Sequence, residues 1–323
     1  MEFEEQQTIG DCTLIRADCF EVLPKLEENS VDLILTDMPY GISNLKSANS
    51  AFDDVVPDLT KLWNHLGRIR KLAAVIALFA SGKFTYKLWE SNKVDHAYTL
   101  TWVKGHNEFT PPYKTGFLNA NRRPLSCSEQ ILCYIPKGTY YQSTYNVQKI
   151  PGGTPYTTRG ARSARLYSVN RLTSSTSNGE RFPAEILYFP IDSSRCNSTK
   201  RHEHTYHPST KPVPLMEWLV RSYSNENEIV LDPFMGSGTT GIACVQAGRK
   251  FVGIEVEKKW FDLACQRIEE AYKEYGNERM LISAFESPTL EKNFDKQISL
   301  FTDVPPTAGH VSGVELNGTF IGG

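Results

Sequence analysis

Asp37-Met38-Pro39-Tyr40 follows directly on the apolar run Val31-Asp32-Leu33-Ile34-Leu35-Thr36 and is closed by Gly41. A carboxylate, a backbone carbonyl, a proline and an aromatic ring at the end of a buried strand suit a flat molecule carrying an exocyclic amine. The carboxylate and the Met38 carbonyl can each accept one N–H of that amine. The tyrosine ring can stack on the flat face, as aromatic side chains do on unpaired bases. Read alone, the same residues also describe a strand ending in an ordinary Pro-Tyr-Gly turn.

A second constellation tips the balance. The short run Ile229-Val230-Leu231-Asp232 leads through Pro233-Phe234-Met235 into Gly236-Ser237-Gly238-Thr239-Thr240-Gly241, spaced G-x-G-x-x-G, and then into a helical stretch, Ile242 to Ala247. A further strand, Phe251-Val252-Gly253-Ile254, ends at Glu255, 23 residues after Asp232. Glycines let backbone approach a ligand closely, and an acid roughly 20 residues on can accept ribose hydroxyls. Gly236 and Gly238 are therefore the expected points of close approach, and Glu255 the expected ribose acceptor. No Lys-Ser/Thr pair follows the glycines, which argues against a nucleotide-hydrolase phosphate loop.

Together the two motifs resemble the DNA amino-methyltransferases that use S-adenosylmethionine. Asp37-Met38-Pro39-Tyr40 is similar to their catalytic motif, written Asp-Pro-Pro-Tyr, and Asp232 to Thr240 to their cofactor motif. Catalytic before cofactor is the permuted order of that family's β group. Thr101-Trp102-Val103-Lys104, Arg122-Arg123-Pro124 and His207-Pro208-Ser209-Thr210-Lys211-Pro212 also look like the family, and the likeness runs from about Asp11 to Ile268.

The resemblance implies a Rossmann-like α/β fold: a mostly parallel sheet with helices on both faces, in permuted motif order, plus a smaller irregular target-recognition lobe. It implies that Asp37 acts electrostatically, Met38 through its carbonyl, Pro39 through turn geometry and Tyr40 as a stacking face. Asp232, Phe234, Gly236, Ser237, Gly238, Thr239, Thr240 and Glu255 would surround the cofactor. Asp18 would lie at its adenine, and Thr210 and Lys211 at its methionine end, where a lysine can pair with the carboxylate. Met38 departs from the family's proline; the carbonyl survives, but the fixed φ is lost. Asp in the first position is commoner in adenine-N6 enzymes and Ser in cytosine-N4 enzymes. The implied reaction is therefore methyl transfer to N6 of an adenine flipped out of duplex DNA. Cytosine-N4 transfer, and a catalytically weak DNA-binding protein that keeps the fold, stand as alternatives.

The elements that must position these residues alternate along the chain, as in a parallel α/β sheet. Strands are expected at Thr13 to Arg16, Val31 to Thr36, Ala73 to Ala80, Ala97 to Val103 and Gln130 to Ile135, the last two as a hairpin. Helices are expected after Asp18, over Leu59 to Leu72, Phe84 to Ser91, Pro212 to Ser222 and Trp260 to Tyr275. With 323 residues, 40% hydrophobic and 22% charged, the chain can bury one large core. The expected organisation is a catalytic domain of 1–137 and 205–280, a target-recognition region of 138–204 and a flexible tail of 281–323.

Net charge is −2, but its distribution is uneven. Between Trp102 and Lys211 there are 15 Lys/Arg against 6 Asp/Glu, and 20 against 31 elsewhere. A basic segment inside an acidic protein suits double-stranded DNA as partner. In 138–204, aromatics interleave with arginines, as in Tyr140-Tyr141 and Arg159 to Arg165, which suits phosphate contact and base stacking.

Seven cysteines with no C-x-x-C pair suggest reduced thiols in a cytoplasmic protein, in a bacterial cell or a phage-infected host. No apolar run is long enough for a membrane span, and the acidic start lacks a signal-peptide core. Cys196, His202, His204 and His207 match no zinc-ligand spacing, so no metal is expected. Gln297-Ile298-Ser299-Leu300-Phe301 resembles the peptide by which bacterial replication and repair proteins dock on the sliding clamp. Monomer and homodimer both remain open.

Overall fold

The strands at the centre of this protein are apolar on both faces, and both faces are covered. The computed structural model describes residues 5–41, 54–105, 121–122, 124–151, 153–158, 175–191 and 210–276. Its strands are β1 (Glu5–Ile9), β2 (Cys12–Arg16), β3 (Val31–Thr36), β4 (Arg70–Ala80), β5 (His96–Val103), β6 (Ser128–Tyr134), β7 (Tyr156–Thr158), β8 (Ser175–Ser177), β9 (Ile186–Tyr188), β10 (Ile229–Asp232) and β11 (Lys250–Glu255). Its helices are α1 (Cys19–Val22), α2 (Leu59–Ile69), α3 (Lys83–Ser91), α4 (Val213–Tyr223), α5 (Thr239–Ala247) and α6 (Lys258–Ala271).

One sheet runs β1-β2-β11-β10-β3-β4-β6-β5-β9, and β7 pairs with β8 separately. From β2 to β4 all neighbours are parallel; β1 and β6 run against theirs. Alternate residues feed two cores. Leu33 and Leu35 of β3 and Val75, Ala77 and Phe79 of β4 pack toward α4, α5 and α6. Ile34, Ile76 and Leu78 pack toward α1, α2 and α3. Covering both faces is what lets these strands read as continuous apolar runs. Each buried Leu or Ile contributes about 1.5–3 kcal/mol.

The sheet reverses its order of winding between β3 and β10. From β3 the chain crosses by α2 to β4 on one side, and from β10 it crosses by α5 to β11 on the other. Such a switch point leaves a crevice at the carboxyl ends of the two strands, where ligands bind in open α/β sheets. Asp37 follows β3 and Asp232 ends β10, so both motifs open on this crevice.

Three local expectations change. The helix drawn to Leu72 stops at Ile69, and β4 starts at once at Arg70. Arg70 pairs with Val31 in the sheet and its guanidinium reaches Asp95 at 2.7 Å, so strand pairing overrides a helix-compatible Arg-Lys-Leu-Ala run. The β5 and β6 strands do pair antiparallel, but the connection between them, 104–127, is too long for a tight hairpin. Ile186–Tyr188, inside the stretch assigned to target recognition, adds a parallel strand beside β5.

The tyrosines proposed for base stacking also fall in an unexpected place. β6 runs toward the amino edge of the sheet, and the chain after it is anchored there. The Asn146 amide donates to the carbonyls of Arg221 and Ser224, at the end of α4. Tyr140 sits against Tyr98 and Tyr145 against Tyr223, at the edge opposite Asp37.

The cluster Cys196, His202, His204 and His207, the segment Gln297–Phe301 and the stretch Arg159 to Arg165 lie outside the described residues. Among the described residues, the cysteines are free and no helix is long and apolar enough to cross a membrane.

Candidate active site

The two motifs are joined by one buried side-chain bond. Thr36, the last residue of β3, donates from its hydroxyl to the Asp232 carboxylate at 2.5 Å, linking positions 196 residues apart. The other oxygen of Asp232 accepts from the Thr240 hydroxyl at 2.5 Å, and the Phe234 N–H adds a third bond at 3.1 Å. Burial pushes the Asp232 carboxyl up to about 6, against these hydrogen bonds. Asp232, expected at the cofactor, thus lines the cleft while its oxygens hold β3, β10 and α5 together.

A cleft of about 340 Å³, counted out to open solvent, lies over this clamp. Asp37, Thr210, Lys211, Asp232, Phe234, Gly236, Ser237, Thr239 and Thr240 line it, with Met216 and Met235. Gly236 and Gly238 both have positive φ, 51° and 76°, which only glycine adopts without strain. Gly238 caps α5 without a side-chain bond, so the helix presents its first N–H groups toward the cleft. Gly241 serves packing: a Cβ there would come within 2.4 Å of Ile268 and 2.9 Å of Phe251. Ser237 is held by Arg267, whose Nη1 donates to its carbonyl at 2.5 Å and its hydroxyl at 2.8 Å. The Thr210 hydroxyl is 3.1 Å from that of Ser237.

Glu255 closes β11 beside the glycines and accepts from the Gly236 N–H at 3.0 Å and the Glu257 N–H at 2.9 Å. Burial raises its carboxyl to about 7. Asp18 reaches the same sheet edge, next to Glu255 through the Ala17–Glu255 backbone bond. It is exposed, outside the cleft lining, and caps α1 by accepting from the Phe20 N–H at 2.8 Å.

The turn Asp37 to Tyr40 is held more firmly than Met38 suggests. The Met38 side chain is buried in the core, 2% exposed. Asp54 accepts from the N–H groups of both Tyr40 and Gly41 at 2.9 Å, replacing the rigidity lost with the proline. Tyr40 packs one ring face against the buried Phe84, centroids 5.1 Å apart and planes 19° apart, so that face is already covered. Its hydroxyl donates to Asp37 Oδ1. Burial, with Asp37 and Glu129 beside it, pushes the phenol well above its ordinary range, so it stays a donor.

Lys211 is turned toward Asp37. Its Nζ lies 2.5 Å from Asp37 Oδ2 and 3.2 Å from Glu129, with the side chain 6% exposed. Burial opposes its charge, but the two carboxylates outweigh this and hold the ammonium above its ordinary value. Glu129, on β6, also takes Lys104 at 2.6 Å. Burial works to raise its carboxyl, yet Lys211 and Lys104 together hold it below the ordinary range. Glu129, Asp54 and Arg267 were not legible as site residues. Lys104 carried a faint signal, as part of a family-like segment without an assigned role.

This fold and site define an open α/β protein with a cleft at its switch point and an acceptor-rich turn at the cleft mouth. Residues 31–266 match the family model described as DNA methylase, of N6/N4 methyltransferases, and the chain belongs to that family. It is 25% identical over 276 residues to type II methyltransferase M.HpaI of Haemophilus parainfluenzae, spanning 84% of this chain and 79% of that protein. It is 26% identical over 263 residues to DNA adenine methyltransferase YhdJ of Escherichia coli (strain K12), spanning 80% and 83%. The fold is similar to the solved structure of PvuII DNA methyltransferase (cytosine-N4-specific), with TM-score 0.54 over 85% of this chain and 97% of that one, at 16% identity. The chain is a DNA amino-methyltransferase, and its cofactor is S-adenosylmethionine. The residues present fit that group: an uncapped helix N-terminus with hydroxyls beside it, left-handed glycines, an apolar Phe234 and Met235, and a carboxylate closing the next strand.

Proposed function

We propose that this enzyme methylates N6 of adenine in duplex DNA, with Asp37 receiving the flipped base. The observation that carries the reading is the Thr36–Asp232 bond, which sets Asp37 at the mouth of the cleft lined by the glycine motif. Asp in the first position of the catalytic motif favours adenine over cytosine.

S-adenosylmethionine supplies a methyl group that is already electrophilic on its sulfonium. What remains for the chain is orientation and charge. The lone pair of a ring-conjugated amine is delocalised. Asp37 and the Met38 carbonyl, each accepting one N–H, draw the nitrogen toward tetrahedral geometry and stabilise the positive charge developing on it. Thr210, Ser237 and the α5 N-terminus suit the methionine end of the cofactor, and Glu255 its ribose hydroxyls. The basic stretch 138–204 is assigned to target recognition by charge and position. Tyr140 and Tyr145, packed on Tyr98 and Tyr223 at the opposite edge of the sheet, are given no part in base stacking.

Expression in methylation-free bacteria, with modified bases mapped by single-molecule sequencing, tests the reading. New N6-methyladenine at one recurrent sequence is expected. Methylated cytosine would overturn the base assignment, and no mark at all would favour the binding-only alternative.

Glu255 makes cofactor affinity depend on pH. Its carboxyl titrates near 7 in the ligand-free protein, so it carries a proton below that and offers both oxygens as acceptors only above it. Binding to the ionised form should tighten the cofactor Kd about tenfold between roughly pH 6 and pH 8. Calorimetry should show this slope in the wild type and not in Glu255→Gln; equal slopes would remove Glu255 from the ribose site.

A further inference from the structure

Both oxygens of Asp37 are already engaged, Oδ1 by the Tyr40 hydroxyl and Oδ2 by Lys211 Nζ at 2.5 Å. A carboxylate paired this closely with an ammonium is a poor acceptor for an amine that must become positive. For Asp37 to act, Lys211 has to slacken its hold. Lys211 is buried, and a buried ammonium left without a partner carries an uncompensated desolvation penalty. Glu129 stands 3.2 Å away on β6, two strands from β3 in the sheet, so Lys211 can lean toward it without losing its charge partner. Lys104 holds Glu129 from its other side at 2.6 Å, and the two carboxylates and two ammonium groups sum to zero charge.

We propose that Glu129 is a positioning residue for methyl transfer: it takes the charge of Lys211 when Asp37 turns to the target amine. This rests on the reading of Asp37 as the acceptor for that amine. Glu129 touches neither base nor cofactor in this role; it acts through Lys211 and also stands 3.5 Å from the Tyr40 hydroxyl, the other partner of Asp37. The geometry is specific to the register of the sheet. Glu129 pairs with Trp102 of β5 at the start of β6, which puts its side chain beside Lys104 and over the end of β4 toward Asp37. Lys104, part of a family-like segment that had no role, acquires one as the counter-charge that keeps Glu129 ionised and in place.

The test compares wild type, Glu129→Gln and Glu129→Asp for single-turnover methyl transfer to DNA, cofactor Kd by calorimetry and thermal midpoint. Glutamine keeps the shape but removes the charge, so Lys211 stays on Asp37. The single-turnover rate of E129Q is expected to fall roughly 30-fold, with cofactor Kd within about threefold of wild type. E129D keeps the charge and should recover part of the rate. A merely structural role would weaken cofactor binding and lower the thermal midpoint along with the rate. If E129Q transfers methyl groups within about threefold of wild type, or loses rate and cofactor affinity together, the proposal is wrong. Should E129Q fail to fold, E129D decides: a reduced rate at unchanged Kd supports the role, and an unchanged rate ends it. Wild type is scored separately. No methyl transfer to DNA by wild type would sink the reading of Asp37 itself, whereas an active wild type with an equally active E129Q sinks only the role of Glu129.

Discussion

Replacing Asp37 with alanine is expected to lower methyl transfer at least about 1,000-fold while leaving cofactor affinity within a few-fold of wild type. The carboxylate lines the cleft at its mouth, where the proposed reaction develops charge, and among the described residues Asp232 is the other carboxylate lining the cleft, its oxygens taken by Thr36 and Thr240. Its partners are arranged to fix its direction: Tyr40 on one oxygen, Lys211 on the other, with Asp54 pinning the backbone behind it. Asparagine at the same position keeps one acceptor and loses the charge, so its deficit should be smaller, about 100-fold. Alanine also takes from Lys211 its nearest partner, but Glu129 remains at 3.2 Å, so the loss of stability should be modest. Transfer of labelled methyl groups, with calorimetry for the cofactor, checks both halves. An alanine variant within tenfold of wild type would remove Asp37 from the chemistry.

The second large effect concerns Asp232→Ala. Three donors lose their acceptor at once, two of them hydroxyls of the buried residues Thr36 and Thr240. A buried donor left unsatisfied costs about 1–3 kcal/mol, and hydroxyls can partly turn to other partners. Urea unfolding should therefore show a net loss of about 2–4 kcal/mol. Cofactor affinity should fall more than about tenfold, because β3 and β10 lose the bond that sets the width of the crevice. The pH dependence has a definite sign. Burial raises the Asp232 carboxyl from its ordinary 3.8 to about 6 in the folded protein. A group raised on folding contributes stability that is present below its unfolded value and lost as pH rises through the folded one. The gap between wild type and variant should thus widen as pH falls from about 6 toward 4, provided the rest of the protein stays folded. A gap that narrows over this range would show that Asp232 is not the buried acceptor described.

Much of the frame was legible because its signals are local. β3 and its turn, and β10 with the glycines, α5, β11 and Glu255, are each contiguous in the chain. Apolar runs, positive-φ glycines and a terminal acid announce themselves without knowledge of neighbours. What went astray was set by pairing. The α2–β4 boundary moved because Arg70 had a strand partner, and Ile186–Tyr188 became a strand because β5 offered an edge. The stacking role of the Tyr140-Tyr141 segment rests on composition, which carries no information about the edge of the sheet on which a segment lies.

The chemistry itself, a carboxylate and carbonyl for an amine and a glycine-lined cleft for a nucleoside cofactor, is written in the sequence by itself, as is the permuted order of the two halves. Only the tertiary structure decided how the acceptor is held. The Thr36–Asp232 bond, the placement of Glu129 between Lys104 and Lys211, and the inward turn of Lys211 onto Asp37 join residues far apart in the chain. Such pairs depend on strand order and register, and a shift of one residue would send each side chain to the opposite face. Residue types and spacing show what a turn or loop can do; the register of the sheet chooses the charges that stand beside it.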